Sequence, residues 1–162
     1  MRHQHAGLAV PDFPLAYGKL WPATDPLSLA SYNQQRLEVA GEEPITAFTI
    51  VMHMLHRFTG ILILLMIVLA AIRTFRNDSA TAALRRLTGA WLALALVQVA
   101  LGILTIWSQR KVDVTTAHVA VGALTFVVGW LLVLVSTRRT RAAVVETRTA
   151  VACKEFPAWK HA

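Results

Sequence analysis

A single cysteine, Cys153, leaves this chain without an intrachain disulfide and without the ligands for a cysteine-rich metal cluster. Charge is scarce as well. Only 15% of the 162 residues are charged, 56% are hydrophobic, and mean hydropathy is +0.52. The apolar residues fall in three long blocks, which excludes an evenly mixed soluble core and points to a membrane protein. Acidic residues are fewer than basic ones, and the net charge is +7. In a soluble protein that excess would suggest nucleic acid. Here the basic residues flank the apolar blocks, so they report topology, and no nucleic-acid partner is expected. Met1-Arg2-His3-Gln4-His5 runs into a proline-rich segment instead of an apolar h-region, so no cleavable signal peptide is expected. No internal repeat or low-complexity tract is visible.

What is present divides into three stretches. Residues 1–44 carry Pro11, Pro14, Pro22, Pro26 and Pro44, with Gly7, Gly18 and Gly41 adding turns, and cannot form a span. Asp25-Pro26 reads as an N-cap followed by a first-turn proline, which predicts a short helix from about Pro26 to Val39 with Leu27, Ala30 and Leu37 on its apolar side. Tyr17 and Trp21 suit the membrane–water interface. The stretch is either an irregular polar extension or an ordered cap. Residues 45–140 hold three spans: one from near Pro44 to Ile72, one over Leu87–Trp107 and one over Thr116–Thr137. Asn77-Asp78-Ser79 supplies a turn, with Arg85 and Arg86 at the entrance of the second span. Gln109 to Asp113 forms a tight connector. Residues 141–162 read as a mobile polar tail. The predicted fold class is all-α, an integral membrane bundle of three helices.

Orientation follows from the arginines. Arg73, Arg76, Arg85 and Arg86 fall on one side together with Arg138, Arg139 and Arg141, while the other side has Arg110 and Lys111 and a sparsely charged N-terminal segment. The tail is therefore expected in the cytoplasm and residues 1–44 outside, in the cell's inner membrane. Cys153 then lies in a reducing compartment, where it reads as a bystander.

The chemistry concentrates in Met52-His53-Met54-Leu55-His56-Arg57-Phe58-Thr59-Gly60. Ionisable groups inside a span are costly and usually kept for a site. The partner for His56 is His118, in Thr115-Thr116-Ala117-His118-Val119. His56 lies 17 residues before Arg73, and His118 lies 20 before Arg138. At ~1.5 Å per residue the two depths agree to within about one helical turn. Two imidazoles facing each other across a bundle can hold a haem iron from both sides; the alternative is that each histidine donates to a carbonyl and packs. Zinc fits poorly, since no carboxylate or cysteine lies nearby. His53, one turn further out, reads as a group at the haem edge or as an interfacial histidine. Arg57 reads as a snorkelling side chain or as the charge partner of a haem propionate. Gln98, mid-membrane, should bond across helices. Gly60, Gly89, Gly102, Gly122 and Gly129 should permit close contact or leave room for a flat macrocycle. Trp91, Trp107 and Trp130 read as lipid-facing or belt aromatics.

The order of these pieces resembles the haem A synthase family. Ala6-Gly7-Leu8-Ala9-Val10-Pro11-Asp12-Phe13-Pro14-Leu15-Ala16-Tyr17-Gly18 is similar to that family's outer-loop signature. His56-Arg57 at the head of a span, Gln98-Val99-Ala100-Leu101-Gly102-Ile103-Leu104-Thr105, and Thr116-Ala117-His118 complete it, so the resemblance covers about Arg2 to Thr137. It implies a protein of two similar four-helix halves, each with a histidine pair on its second and fourth helices. One half takes haem O, the other a haem B that relays electrons, and the C8 methyl of haem O is oxidised to a formyl group. The three spans then correspond to the last three helices of one half. The C-terminal half fits better, because His53 stands where the first half often has a glutamate and Val10 where it can have a cysteine.

By the same resemblance His56 and His118 are the axial ligands of haem B, Arg57 contributes to cofactor binding, and haem O is the substrate. The expected partners are membrane lipid, an electron donor, and either the missing half or further copies of the chain. The helix expected before Arg2 and the second half are not in the sequence, so a fragment, a mis-started reading frame or one part of a split protein is expected. The activity of this chain alone stays open between haem A synthesis and two alternatives: a non-catalytic b-type cytochrome and an oxidase assembly factor.

Overall fold

A computed structural model describes residues 9–40, 44–108 and 111–155. Gly7, Gly41, the connector residues Gln109 and Arg110, and the start of the outer-loop motif lie outside the described residues, as do the side chains of Arg139, Arg141 and Cys153. Four helices follow in order: α1 Pro26–Ala40, α2 Ala47–Arg76, α3 Ala82–Trp107 and α4 Val112–Glu155. Three of them are long and apolar enough to cross a membrane: α2, α3 and Val112–Arg138 of α4. The architecture is an all-α membrane bundle.

Local chemistry sets the helix ends. Asp25 accepts the Ser28 N–H at 3.0 Å and so caps α1, with Pro26 as its first residue. That bond holds the Asp25 carboxyl below its ordinary range. Thr46 and Thr49 form a reciprocal capping box, so α2 begins at Ala47. Arg73 and Arg76 occupy its last turn, where positive charge is favourable. The Asn77 side chain accepts from Ser79 N–H and turns the chain, but the cap of α3 is Thr81. α3 thus begins five residues before Leu87, and Arg85 and Arg86 lie within its first turns. Arg85 reaches back to the Asn77 carbonyl at 2.9 Å and closes the turn.

At ~1.5 Å per residue α2 measures about 45 Å, against the ~30 Å of a hydrocarbon core, so part of it stands outside the membrane. The apolar part of α4 ends at Arg138, next to the Thr137 that the sequence gives for the third span. Beyond it the pattern assigns a mobile tail, whereas the helix continues to Glu155. Charge ends the apolar run at Arg138, but no glycine or proline follows Gly129 until Pro157, so nothing stops the backbone from staying helical.

One packed cluster lies in the cap, while Ile67, Ala71, Ala95 and Ile106 are buried within the spans. Ala9, Val10, Ala16, Ile45, Ile50 and Met54 are buried together, with Tyr17, Leu29 and Tyr32 against them. Asp12 accepts the N–H groups of Tyr17 and Gly18, which take left-handed conformations, and so closes a tight turn. The Tyr17 ring stacks on Tyr32 at 3.8 Å, and its hydroxyl donates to the Ala9 carbonyl. Burial raises the phenol above its ordinary range, against the pull of Arg36. Asn33 pairs with both backbone groups of Ile45, at 2.7 and 3.1 Å, and ties α1 to the head of α2. The N-terminal stretch is therefore an ordered cap.

The cap corrects two expectations. α1 buries the face of Leu29, Tyr32, Asn33 and Arg36, while Leu27, Ala30 and Leu37 point outward. Its inner side is polar because specific bonds satisfy it, which hydrophobic periodicity cannot register. Tyr17 serves the cap core instead of the interface. Trp21 is half exposed and stacks on Phe58 of α2 at 5.8 Å.

Within the bundle α3 lies between α2 and α4 and packs on both; α2 and α4 share no extended contact. Trp91 of α3 donates to the Thr125 carbonyl of α4 at 3.0 Å, with its ring over Gly129. It is an interhelical residue and not a lipid-facing one, unlike Trp107 and Trp130, which are exposed.

Candidate functional site

The two histidines singled out in the sequence meet. His56 on α2 and His118 on α4 meet edge-on, with ring centroids 6.5 Å apart and planes at 81°. They meet beside α3, which packs on both of their helices. His56 has no hydrogen-bond partner among the described residues. A Cβ at Gly60, one turn along α2, would meet nothing within 4 Å, so the space beside His56 is open.

His118 is held by α3. Its Nδ1 lies 3.1 Å from the Gln98 main-chain oxygen, and its Nε2 lies 3.4 Å from the Gln98 side-chain Nε2. A carbonyl oxygen only accepts, so Nδ1 carries the proton and Nε2 keeps its lone pair. A backbone carbonyl on the far nitrogen is the usual arrangement behind a metal-binding histidine. Two glycines make the approach possible. A Cβ at Gly102 would lie 3.2 Å from His118 Cε1, and one at Gly122 would lie 2.8 Å from Gln98 Nε2. Sequence reading paired Gln98 with a neighbouring helix but did not connect it to His118. The signal is a shared depth: polar groups buried at one level of adjacent spans tend to find each other.

Arg57 is committed to the cap. Its guanidinium donates to the carbonyls of Leu15 at 3.0 Å and Asp12 at 2.7 Å, with the Phe13 ring 5.8 Å away. Donation to two loop carbonyls clamps the cap onto α2 beside His56. The Arg57 Nε is buried with no hydrogen-bond partner among the described residues. His53 is half-buried one turn further out and is not brought into the pair.

Among the described residues no group of three or more His, Cys, Asp and Glu side chains could hold a metal ion. A site here has two imidazoles to offer, and that donor set excludes a closed tetrahedral zinc site from these residues alone. An iron in a macrocycle takes four ligands from the ring and needs only two from protein.

Neither the curated proteins nor the solved structures yielded a match. One family model does match, described as cytochrome oxidase assembly protein, COX15-CtaA, and it covers residues 1–129. That stretch includes the cap, α2, α3 and the part of α4 bearing His118, so the chain belongs to the COX15-CtaA family of cytochrome oxidase assembly proteins, the haem A synthases.

Proposed function

We propose that this chain forms the haem B-binding part of a haem A synthase, the membrane oxidoreductase that converts the C8 methyl of haem O to a formyl group for terminal oxidases. The observation that carries this is the opposition of His56 and His118. Two metal–imidazole bonds of about 2 Å, each with roughly 1 Å from nitrogen to ring centre, put the centroids about 6 Å apart. The observed separation is 6.5 Å. The residues therefore fit the group.

His118 would hold the iron through Nε2, already oriented by the Gln98 carbonyl, and His56 would hold it from the other side. A haem held by His56 and His118 would supply one-electron transfer. The protein's part is to fix the His118 ring through Gln98, to leave space beside Gly60, and to hold the cap against α2 through Arg57. With the arginine-rich ends inside, the cap and the histidine pair sit toward the outer face, and the electron donor would be met there.

The test is reduced-minus-oxidised difference spectroscopy of the purified protein. Wild type should show a low-spin b-type signal. His56→Ala and His118→Ala should each abolish it, while His53→Ala should retain it. An unchanged signal in both ligand variants would sink the assignment, and the pair would then be two packed membrane histidines.

A further inference from the structure

Gln98 meets both nitrogens of one imidazole. Its main-chain oxygen takes the Nδ1 proton, and its side-chain amide faces the lone pair on Nε2. With the tautomer fixed from one side, the amide NH₂ is the group able to satisfy the other. This side chain has little latitude. The Gly122 backbone presses on it, since a Cβ there would lie 2.8 Å from its nitrogen and 3.4 Å from its Cδ. Its Oε1 is buried with no hydrogen-bond partner among the described residues. Confinement between α3 and α4, and not a bond to its own oxygen, keeps the amide where it is.

We propose that Gln98 is a positioning residue for His118 that acts twice: its main chain fixes the ring's tautomer, and its side-chain amide caps the ligating nitrogen until an iron displaces it. The proposal rests on the reading of His118 as an axial ligand. The 3.4 Å separation is longer than the ~2.7–3.2 Å of a good N–H bond, so the cap is weak and reversible. It satisfies a lone pair that would otherwise be bare inside a span, where an unmet polar atom is costly. The same contact competes with the iron. Haem loading is thereby set by an exchange of partners at one nitrogen, while the other nitrogen never lets go of α3.

The test uses the full chain in detergent, with histidine labelled with ¹⁵N. In the haem-free protein at one fixed pH, long-range ¹H–¹⁵N correlation should show His118 with its proton on Nδ1 and an Nε2 resonance moved from the free-acceptor position. Gln98→Met keeps the length and bulk but has no donor. It should keep the proton on Nδ1, move Nε2 to the free-acceptor position, and bind haemin roughly three- to tenfold more tightly, the gain expected from losing one weak competing hydrogen bond. Gly122→Ala should expel the amide without altering Gln98 and shift both readouts the same way. An unchanged Nε2 resonance in Gln98→Met, or haemin affinity equal to or below wild type, would overturn the latch and leave the ligand reading standing. Unchanged haemin retention in His118→Ala would overturn the ligand reading and the latch with it.

Discussion

Gly60 and Gly129 are both mid-span glycines, and the structure predicts opposite outcomes when each becomes alanine. In a helix interior Gly→Ala gains about 0.5–1 kcal/mol from the unfolded chain's lost freedom. At Gly60 nothing opposes that gain, because a methyl group would meet no atom within 4 Å. At Gly129 the methyl would sit 3.0 Å from Trp91 Cζ2 and Nε1 and 3.1 Å from Cε2. The indole cannot simply swing away, since its N–H is committed to the Thr125 carbonyl. Overpacking of this kind costs about 1–3 kcal/mol, and loss of the indole bond adds about 1 kcal/mol. Gly129→Ala should therefore destabilise the haem-free protein by roughly 1–3 kcal/mol after the helix gain, while Gly60→Ala is neutral or slightly stabilising. Thermal unfolding in detergent, followed by tryptophan fluorescence, reads both. Equal melting temperatures for the two variants would refute the placement of Trp91 and of the open side of α2. Haem retention supplies a second axis: Gly60→Ala should lose haem without losing stability, because its methyl enters the space beside His56.

Arg57→Ala should release the cap loop, since the two loop carbonyls lose a charged donor worth about 1.5–3 kcal/mol; hydrogen exchange over residues 9–22 should rise several-fold while α3 and α4 keep their protection. Asp25, whose carboxyl is held below its ordinary range, stabilises the start of α1 at neutral pH, and that contribution is lost as pH falls through the folded-state value. Amide exchange at Ser28 should accordingly rise only under acid conditions, and Asp25→Ala should show the raised exchange at neutral pH. For orientation, a reporter fused after Thr140 should be cytoplasmic and one at Lys111 exported; finding both on one side would remove the three-span topology.

The features that sequence exposed best are those carried by single residues with one dominant effect. Asp25-Pro26 announces the start of α1, and Arg73, Arg76 and Arg138 mark where the apolar runs give out. His56 and His118 could be matched because depth along a helix is a linear function of residue number. Arg57 could not be read, because its partners are main-chain carbonyls 42 and 45 residues earlier, and a carbonyl has no sequence signature. The inner face of α1 failed for a related reason: Asn33 is held by the backbone of Ile45 and Tyr32 by the ring of Tyr17, partners that hydrophobic periodicity does not register. The continuation of α4 beyond its span was not legible for another reason. Hydropathy describes where the membrane stops, and a helix need not stop with it. Gln98 lies between these cases. Its residue type signalled an interhelical contact, but the role of its backbone oxygen behind His118 needed coordinates.

The position of the closed core bears on the order in which the chain is made. Every group the cap requires lies between Ala9 and Arg57, whereas the wall carrying His118 begins at Val112. Chains fold N-terminal parts first as they emerge. The cap can thus lock, and Arg57 can hold its loop, while α3 and α4 are still being synthesised. His56 then waits on a finished support, and the histidine pair forms only when the last helix brings His118 to Gln98. A nascent chain stalled before α4 would carry a formed cap beside an unpaired His56, so under the proposed function it could not hold haem until translation of the family-matched region was nearly complete.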